Sequence, residues 1–510
     1  MRNSRRAPPS WRSSPTSWPS RCVSCEARTV TRNLALAAVA AGALACAGDI
    51  SAPPPPVPRI DYVAGAIEPI LVRGESVVIE GFGFGATPGA VTFAGRAAPV
   101  DSASWTDLSV EVTVPDSATS GAVTVITSAG RQLTAVAHVL PHVVFDPATL
   151  AWQAAPATFP RAPVGVALAA AQRPVGPDIA VTFYAAGGAE PFGDSLQMIP
   201  DSGVYVAHAD PGTPISAWVR QRDTTSAFAS HVLPQPRAFA AAAAATRYNS
   251  HAVVGALYVI GGIDTAGHAQ SSVFAAPIDA DSVLGPFVSL TSLPVPVAGA
   301  IAVVRRGRIY VFGGADSTGH PQTTVLVGRV NSDGSIDGWY QEPGLSAARA
   351  YGGGVVRDHR ALVFGGRGDS VPPGGGLDTA ALPLGSSDTA SVSPASGFFT
   401  AGWATGRTLL PAGRSQFATL DLSDVILVVG GLYPGAAGNA AETLAAAAAG
   451  DSVGDFSGPV GTATIFGQGG GTLVGPAGVS WRDGAGKAHG LVLGGMDLAT
   501  RLRKAGVWSF

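Results

Sequence analysis

Cysteine is nearly absent: the 510-residue chain has three, Cys22, Cys25 and Cys46, all in its first tenth. The rest therefore holds no disulfide framework, no thiolate metal site and no cysteine nucleophile. Charge is also scarce. Asp, Glu, Lys and Arg make up 13% of the residues, against roughly 25% in ordinary soluble domains. A net charge of −3, with basic residues scattered beyond the N-terminus, leaves no footprint for nucleic acid. Histidine is sparse. His138 and His142 lie four apart in a β-rich stretch, where helical metal-ligand spacing has no meaning. No H-E-x-x-H occurs, and no G-x-S-x-G stands between a strand and a helix. The uncharged apolar run 34–45 is shorter than the roughly 20 residues a membrane span needs. No metal and no cofactor is expected.

What is abundant is glycine (66), proline (40) and apolar residues (46%). Disorder needs few apolar groups and much net charge, so this mix argues instead for many short strands joined by tight turns. The chain is expected to be all-β.

The N-terminus reads as an address. Arg28 and Arg32 precede LALAAVAAGALA at 34–45, and Cys46-Ala47-Gly48-Asp49 follow. A basic flank, about a dozen apolar residues and small residues at a cleavage site describe an export signal. With a cysteine directly after it, the segment resembles a bacterial lipoprotein signal, with Ala43 where that family prefers Leu. The resemblance implies Cys46 as the site of lipid attachment and an outer-membrane or cell-surface location. The plain alternative is an ordinary cleaved signal with Cys46 incidental. The long leader 1–29 suggests a translation start near Val30. The Cys22-Val23-Ser24-Cys25 pair has no second pair to make a metal site. Residues 47–56, with Pro53-Pro54-Pro55-Pro56, read as a tether.

Residues 57–140 alternate apolar and polar positions between turns: Val77-Val78-Ile79, Ala90-Val91-Thr92-Phe93, Ser109 to Val114 and Ala122 to Ile126. That pattern argues an antiparallel sandwich. The order Gly81-Phe82-Gly83-Phe84-Gly85, Val91-Thr92-Phe93, Trp105 and Val114-Pro115 resembles an IPT/TIG domain, an immunoglobulin-like module. A phosphate loop would have to open a helix, whereas Ala86-Thr87-Pro88-Gly89 leads into another strand.

Residues 143–510 carry a repeat. A strand ends in a glycine pair at Gly187-Gly188, Gly261-Gly262, Gly313-Gly314, Gly365-Gly366, Gly430-Gly431 and Gly494-Gly495. Spacing of roughly 50 residues or more signals a propeller. Pro/Arg turns precede several pairs, including Pro160-Arg161, Pro236-Arg237, Ala348-Arg349 and Gly413-Arg414. Trp218, Trp339 and Trp403 follow a strand later. Together these resemble the kelch repeat and imply a six-bladed kelch-type β-propeller, four strands per blade. Trp152 has no blade of its own, and the chain ends in Gly506-Val507-Trp508 without a fourth strand. The segment at Trp152 is therefore expected to complete the last blade beside the C-terminal strand. The alanine runs 238–245 and 445–449 favour helix by propensity, yet their register makes them strands.

The resemblance to kelch proteins raises two enzymatic branches. Galactose oxidase-like copper enzymes need a Tyr–Cys crosslink, and no cysteine lies beyond Cys46. Sialic acid mutarotase works through polar groups in the channel, for which His359, Arg360, Arg367, Asp369, Arg407, Arg414 and Asp497 are candidates if their turns line one face. Asp316, Asp333, Asp388 and Asp451 read as turn residues rather than calcium ligands. The expectation is a monomeric, non-catalytic envelope protein, bound to the membrane through its lipid, that presents a propeller face to a protein or glycan ligand. The alternatives are a sugar-active enzyme and a structural envelope scaffold.

Overall fold

The computed structural model describes residues 57–191, 198–221, 231–246, 255–370, 382–433, 442–461, 473–497 and 504–510. Residues 56–510 form one compact unit. Cys22, Cys25, Cys46, the apolar run 34–45 and the tether 47–56 lie outside the described residues. Within them the chain is all-β, with a single turn of 3₁₀-helix at Pro147–Thr149. No described helix is long and apolar enough to cross a membrane.

Residues 59–140 build two sheets on one core. Ser76–Phe82 lies between Arg59–Val63 and Ser109–Thr113 in a three-stranded sheet, and a five-stranded sheet runs from Ile70–Val72 through Gln132–Leu140, Gly121–Ile126 and Ala90–Phe93 to Arg96–Ala97. The inward positions of both, including Ile79, Val91, Phe93, Val110, Val112, Val123 and Val125, form one buried cluster with Phe84 and Trp105. The glycine-rich segment 81–85 leads to the strand Ala90–Phe93 with no helix between, which removes the phosphate-loop geometry.

The rest of the described chain forms six four-stranded antiparallel sheets. Their first strands are Ala167–Val175, Ala241–Thr246, Ile301–Arg305, Gly353–Val356, Ala418–Asp421 and Ala477–Arg482. Each first strand packs against that of the next sheet, and the sixth returns to the first. The sheets therefore close into a ring. Alanine, glycine and valine dominate these inner strands because six backbones converge there. That crowding suits the run Ala241–Thr246, an inner strand paired along its whole length with Gly255–Ile260, while the second run, Thr443–Ala449, is extended as the third strand of the fifth sheet, paired with Val425–Val429. Tertiary context overrides helix propensity.

Second strands read as continuous apolar runs, since both their faces meet a neighbouring sheet. Gly255–Ile260 and Val425–Val429 are buried at every position. Each second strand ends at a glycine pair, and all twelve glycines have positive φ. In three sheets a tyrosine three places before the pair links to the next sheet. Tyr184 Oη donates to Ser282 O (2.7 Å), Tyr258 Oη to Gly334 O (2.6 Å) and Tyr310 Oη to Gly397 O (2.7 Å).

The ring is shut by the two ends of its own chain. Gln153–Ala154 supplies the fourth strand of the sixth sheet, pairing Ala154 with Trp508 and Gln153 with Ser509. Trp152 beside it is buried, meets Phe510 edge-on at 4.9 Å and donates from Nε1 to Thr443 Oγ1 at 3.0 Å. This is the pairing expected from the unpartnered Trp152 segment. It gives the sixth sheet its full four strands and ties the start of the ring to its last strand.

Candidate functional site

The ring has two unlike ends. At one, first strands turn into second strands through hairpins at 176–177, 306–307, 357–359, 422–424 and 483–487. At the other lie the glycine pairs and the turns that enter the first strands.

The glycine-pair end is closed by the main chain itself. Gly165, Phe239, Gly299, Tyr351, Gln416 and Gly475 occupy equivalent places just before the first strands, and all have φ between 52° and 68°. Each N–H donates to the carbonyl of the previous member: Phe239 to Gly165 at 2.7 Å, Gly299 to Phe239 at 2.9 Å, Tyr351 to Gly299 at 2.7 Å, Gln416 to Tyr351 and Gly475 to Gln416 at 2.8 Å, and Gly165 back to Gly475 at 3.1 Å. Glycine is needed beneath the large side chains. A Cβ at Gly165 would lie 2.4 Å from the Phe239 ring, and one at Gly299 would lie 2.5 Å from the Tyr351 ring. Phe239 and Tyr351 meet edge-on at 5.4 Å inside an apolar cluster drawn from all six sheets.

Around this hub the glycine pairs bind sheet to sheet. The second glycine of each pair donates to a carbonyl just ahead of the next first strand: Gly188 to Arg237, Gly262 to Val297, Gly314 to Arg349, Gly366 to Arg414, Gly431 to Leu473 and Gly495 to Pro163, at 2.6–2.9 Å. Two of these arginines then reach onward. Arg349 Nη1 donates to Gly365 O (2.7 Å) and Arg414 Nη1 to Gly430 O (2.8 Å), so each arginine joins consecutive sheets. Arg349 also pairs with Asp388 at 3.2 Å, both side chains fully buried. Burial pulls the Arg349 pKa down against the opposing pull of Asp388.

These contacts correct the expected ligand face. His359 and Arg360 belong to a hairpin at one end of the ring, while Arg367, Asp369, Arg414 and Asp497 lie at the other. Successive antiparallel strands send their turns to opposite ends, which residue type alone does not reveal. Nor are the second four a free set. Arg367 is fully buried and held by Asp369 (3.0 and 2.8 Å), Arg414 is held by Glu442 (3.1 Å), and Asp497 is buried in a short strand pair. Arg407 sits on an exposed outer strand, 3.2 Å from Asp455. Asp388 is likewise no turn residue but the buried partner of Arg349. Asp316, Asp333 and Asp451 do occupy turns.

Two loops at the glycine-pair end were missed. Asp264-Thr265-Ala266-Gly267-His268-Ala269-Gln270 and Asp316-Ser317-Thr318-Gly319-His320-Pro321-Gln322 share D-x-x-G-H-x-Q at a separation of 52 residues (316 − 264). In each, the aspartate braces the loop. Asp264 accepts from His268 N (3.0 Å) and Gln270 Nε2 (2.7 Å), and Asp316 from His320 N (3.0 Å) and Gln322 Nε2 (2.8 Å). Slight burial raises the Asp316 pKa, but hydrogen bonds from Thr318 and His320 outweigh it and hold the carboxyl below its usual range. Both loops leave a histidine exposed. The recurrence of a seven-residue word was the available signal.

Between the ends runs a channel of about 430 Å³, lined by the first strands. Among the described residues, Asp421 is the only ionisable one in that lining. The hairpin end is covered by the two-sheet sandwich. Its residues meet the hairpins of the first sheet (His138 with Pro177), third (Ser76 O with Arg306) and fourth (Glu111 with His359), and the segment just after it meets the fifth-sheet hairpin (His142 with Asp424) and the end of the sixth sheet's first strand (Val143 O with Arg482). The pentapeptide Gly450-Asp451-Ser452-Val453-Gly454, a G-x-S-x-G by letters, is a hairpin turn here. Both ring nitrogens of His359 face carboxylates, so neither serves Ser452. No metal-binding group of three or more ligands occurs among the described residues.

No family model and no curated protein matches the chain. Among solved structures, one described as "Structure of YjhT" is similar at 14% identity with a TM-score of 0.43, over 69% of this chain and 94% of that one. A likeness of that size carries no argument about function.

Proposed function

We propose that this chain is an exported, lipid-anchored envelope protein in which an IPT/TIG-type immunoglobulin-like sandwich carries a six-bladed kelch-type propeller. The propeller binds a protein or glycan at its glycine-pair end. The observation that carries this reading is the division of the two ends. The sandwich occupies the hairpin end, and the opposite end presents two braced, matching loops with exposed His268 and His320. The six glycine-pair sheets and the closure by Gln153–Ala154 support the propeller. Cys46 and the run 34–45 support the anchor from sequence alone. A binding rather than catalytic role is supported by how the candidate charges are spent, since Arg367 and Arg414 are buried clamps and the described channel lining offers one carboxylate. Fold alone names no ligand.

The test is a glycan-array and envelope-protein binding screen with the purified chain, followed by the double variant His268→Ala/His320→Ala. Exposed side chains of this kind change stability by about 0.5 kcal/mol or less. The expected result is loss of binding at unchanged melting temperature, with the bound sugar recovered intact. Conversion of a bound sugar, or binding untouched by the double variant, would refute this assignment.

A further inference from the structure

The sandwich is fixed over the channel mouth partly by Leu140 and Ile70, which join an apolar cluster of the first and sixth sheets, and partly by a seam of charge. From the ring, Arg305 reaches Glu75 of the sandwich at 3.1 Å and Asp358 at 2.9 Å. Arg306 stands 3.8 Å from both Glu111 and Asp358, and Arg308 stands 3.8 Å from Glu80. His142 meets Asp424 at 2.8 Å, and Arg482 lies 3.6 Å from the same carboxyl. Crevices of about 270 and 210 Å³ both border Glu75 and Arg305, so water reaches the seam.

The seam holds two imidazoles, His142 facing the single carboxyl of Asp424 and His359 standing between two carboxylates. His359 lies in the hairpin 357–359, with Nε2 3.1 Å from Glu111 Oε2 of the sandwich and Nδ1 3.2 Å from Asp451 Oδ2 in the turn of the next sheet. A neutral imidazole has one N–H and one lone pair. It can donate to only one of these carboxylates and must turn a lone pair on the other. The imidazolium alone satisfies both. Glu111 is well placed to register the difference, because its side chain is 8% exposed and its other contacts are the Ser76 hydroxyl and Arg306. The other charged neighbours in and beside the hairpin point to other partners or to solvent: Asp358 faces Arg305 and Arg306, Arg357 binds Gly450 O, Ser423 O and Asp421, and Arg360 is exposed.

We propose that His359 is a pH-operated latch, tying the sandwich across the channel mouth while doubly protonated and loosening it on losing a proton. The direction follows from linkage. Burial lowers the His359 pKa, but the hydrogen bonds and charges of Glu111 and Asp451 outweigh it and raise the pKa above the ordinary 6.5. A group with a raised folded pKa contributes fully below its unfolded value and loses that contribution as pH climbs through the folded one. The latch holds in mild acid and slackens in alkali.

Hydrogen exchange of the purified full chain, corrected for intrinsic exchange, tests this between about pH 5 and about pH 9, the range that brackets histidine titration. Seam peptides covering 109–112 and 357–361 should open about fivefold more readily at the upper end, the scale of one partly exposed ion pair. The core peptide 309–312 should keep its protection. His359→Gln should remove the step and leave the seam at the loosened level throughout, and Glu111→Gln should also flatten it. A step that survives His359→Gln, vanishes instead with His142→Gln, or appears equally in 309–312 would overturn the proposal.

Discussion

At the scale of single residues, the glycines separate two kinds of requirement. Gly313 has a φ of 59° and a virtual Cβ 2.2 Å from Arg349 O, whereas Gly85 has a φ of 81° with nothing nearby. Gly85→Ala should cost about 1–2 kcal/mol, the left-handed backbone penalty alone. Gly313→Ala should cost that and about 1–3 kcal/mol more, because backbone must move to admit the methyl. Denaturant midpoints of the two variants check the ordering, and equal losses would mean the glycine pair serves conformation only. The glycine pattern was legible in the sequence because it repeats. Arg367 and Arg414 were misread as part of a ligand face, since a sequence displays charge and not its partner. Arg367 lies two residues from the Asp369 that neutralises it, while the Asp388 that meets Arg349 lies 39 residues on (388 − 349).

At the scale of strands, position in the sheet governs composition. Inner strands are small, second strands are apolar on both faces, and fourth strands are exposed, as in Val219–Arg220 and Ala404–Thr408. The second-strand tyrosines make this register energetic. Burial pushes the Tyr310 phenol up to about 12, against the lowering influence of nearby arginines. Tyr310→Phe should cost about 0.5–1.5 kcal/mol by removing the bond to Gly397 O without opening a cavity. A shift in urea midpoint with unchanged slope is the expected readout. Strand existence was readable throughout this region, down to the alanine runs. The end of the ring at which each turn emerges was not, because it depends on strand direction, and so His359 and Arg367 were grouped although they lie on opposite ends.

At the scale of the molecule, closure depends on a contact between residues far apart in the chain. Trp152 is packed beneath Phe510 and bonded to the fifth sheet at Thr443. Trp152→Ala should cost about 3–5 kcal/mol and should loosen the sixth sheet before the others, visible as early exchange of the peptide 488–493. Uniform loosening would mean that the ring does not depend on that join. This pairing was foreseeable because Trp152 stood outside the repeat and the last repeat lacked a strand. The sandwich spanning the channel mouth had no such signal, since Glu111 and His359 meet across 248 residues without any shared pattern.

The hub has one more property. Its six main-chain hydrogen bonds all run in the same rotational sense, each donor facing backward along the circle. Peptide dipoles arranged head to tail around a loop cancel as vectors, unlike those of a helix, which sum along its axis. Within the plane of the ring, the circle therefore contributes no net dipole. A charged ligand at that end would meet its first directional partners on the surrounding loops, such as those carrying His268 and His320.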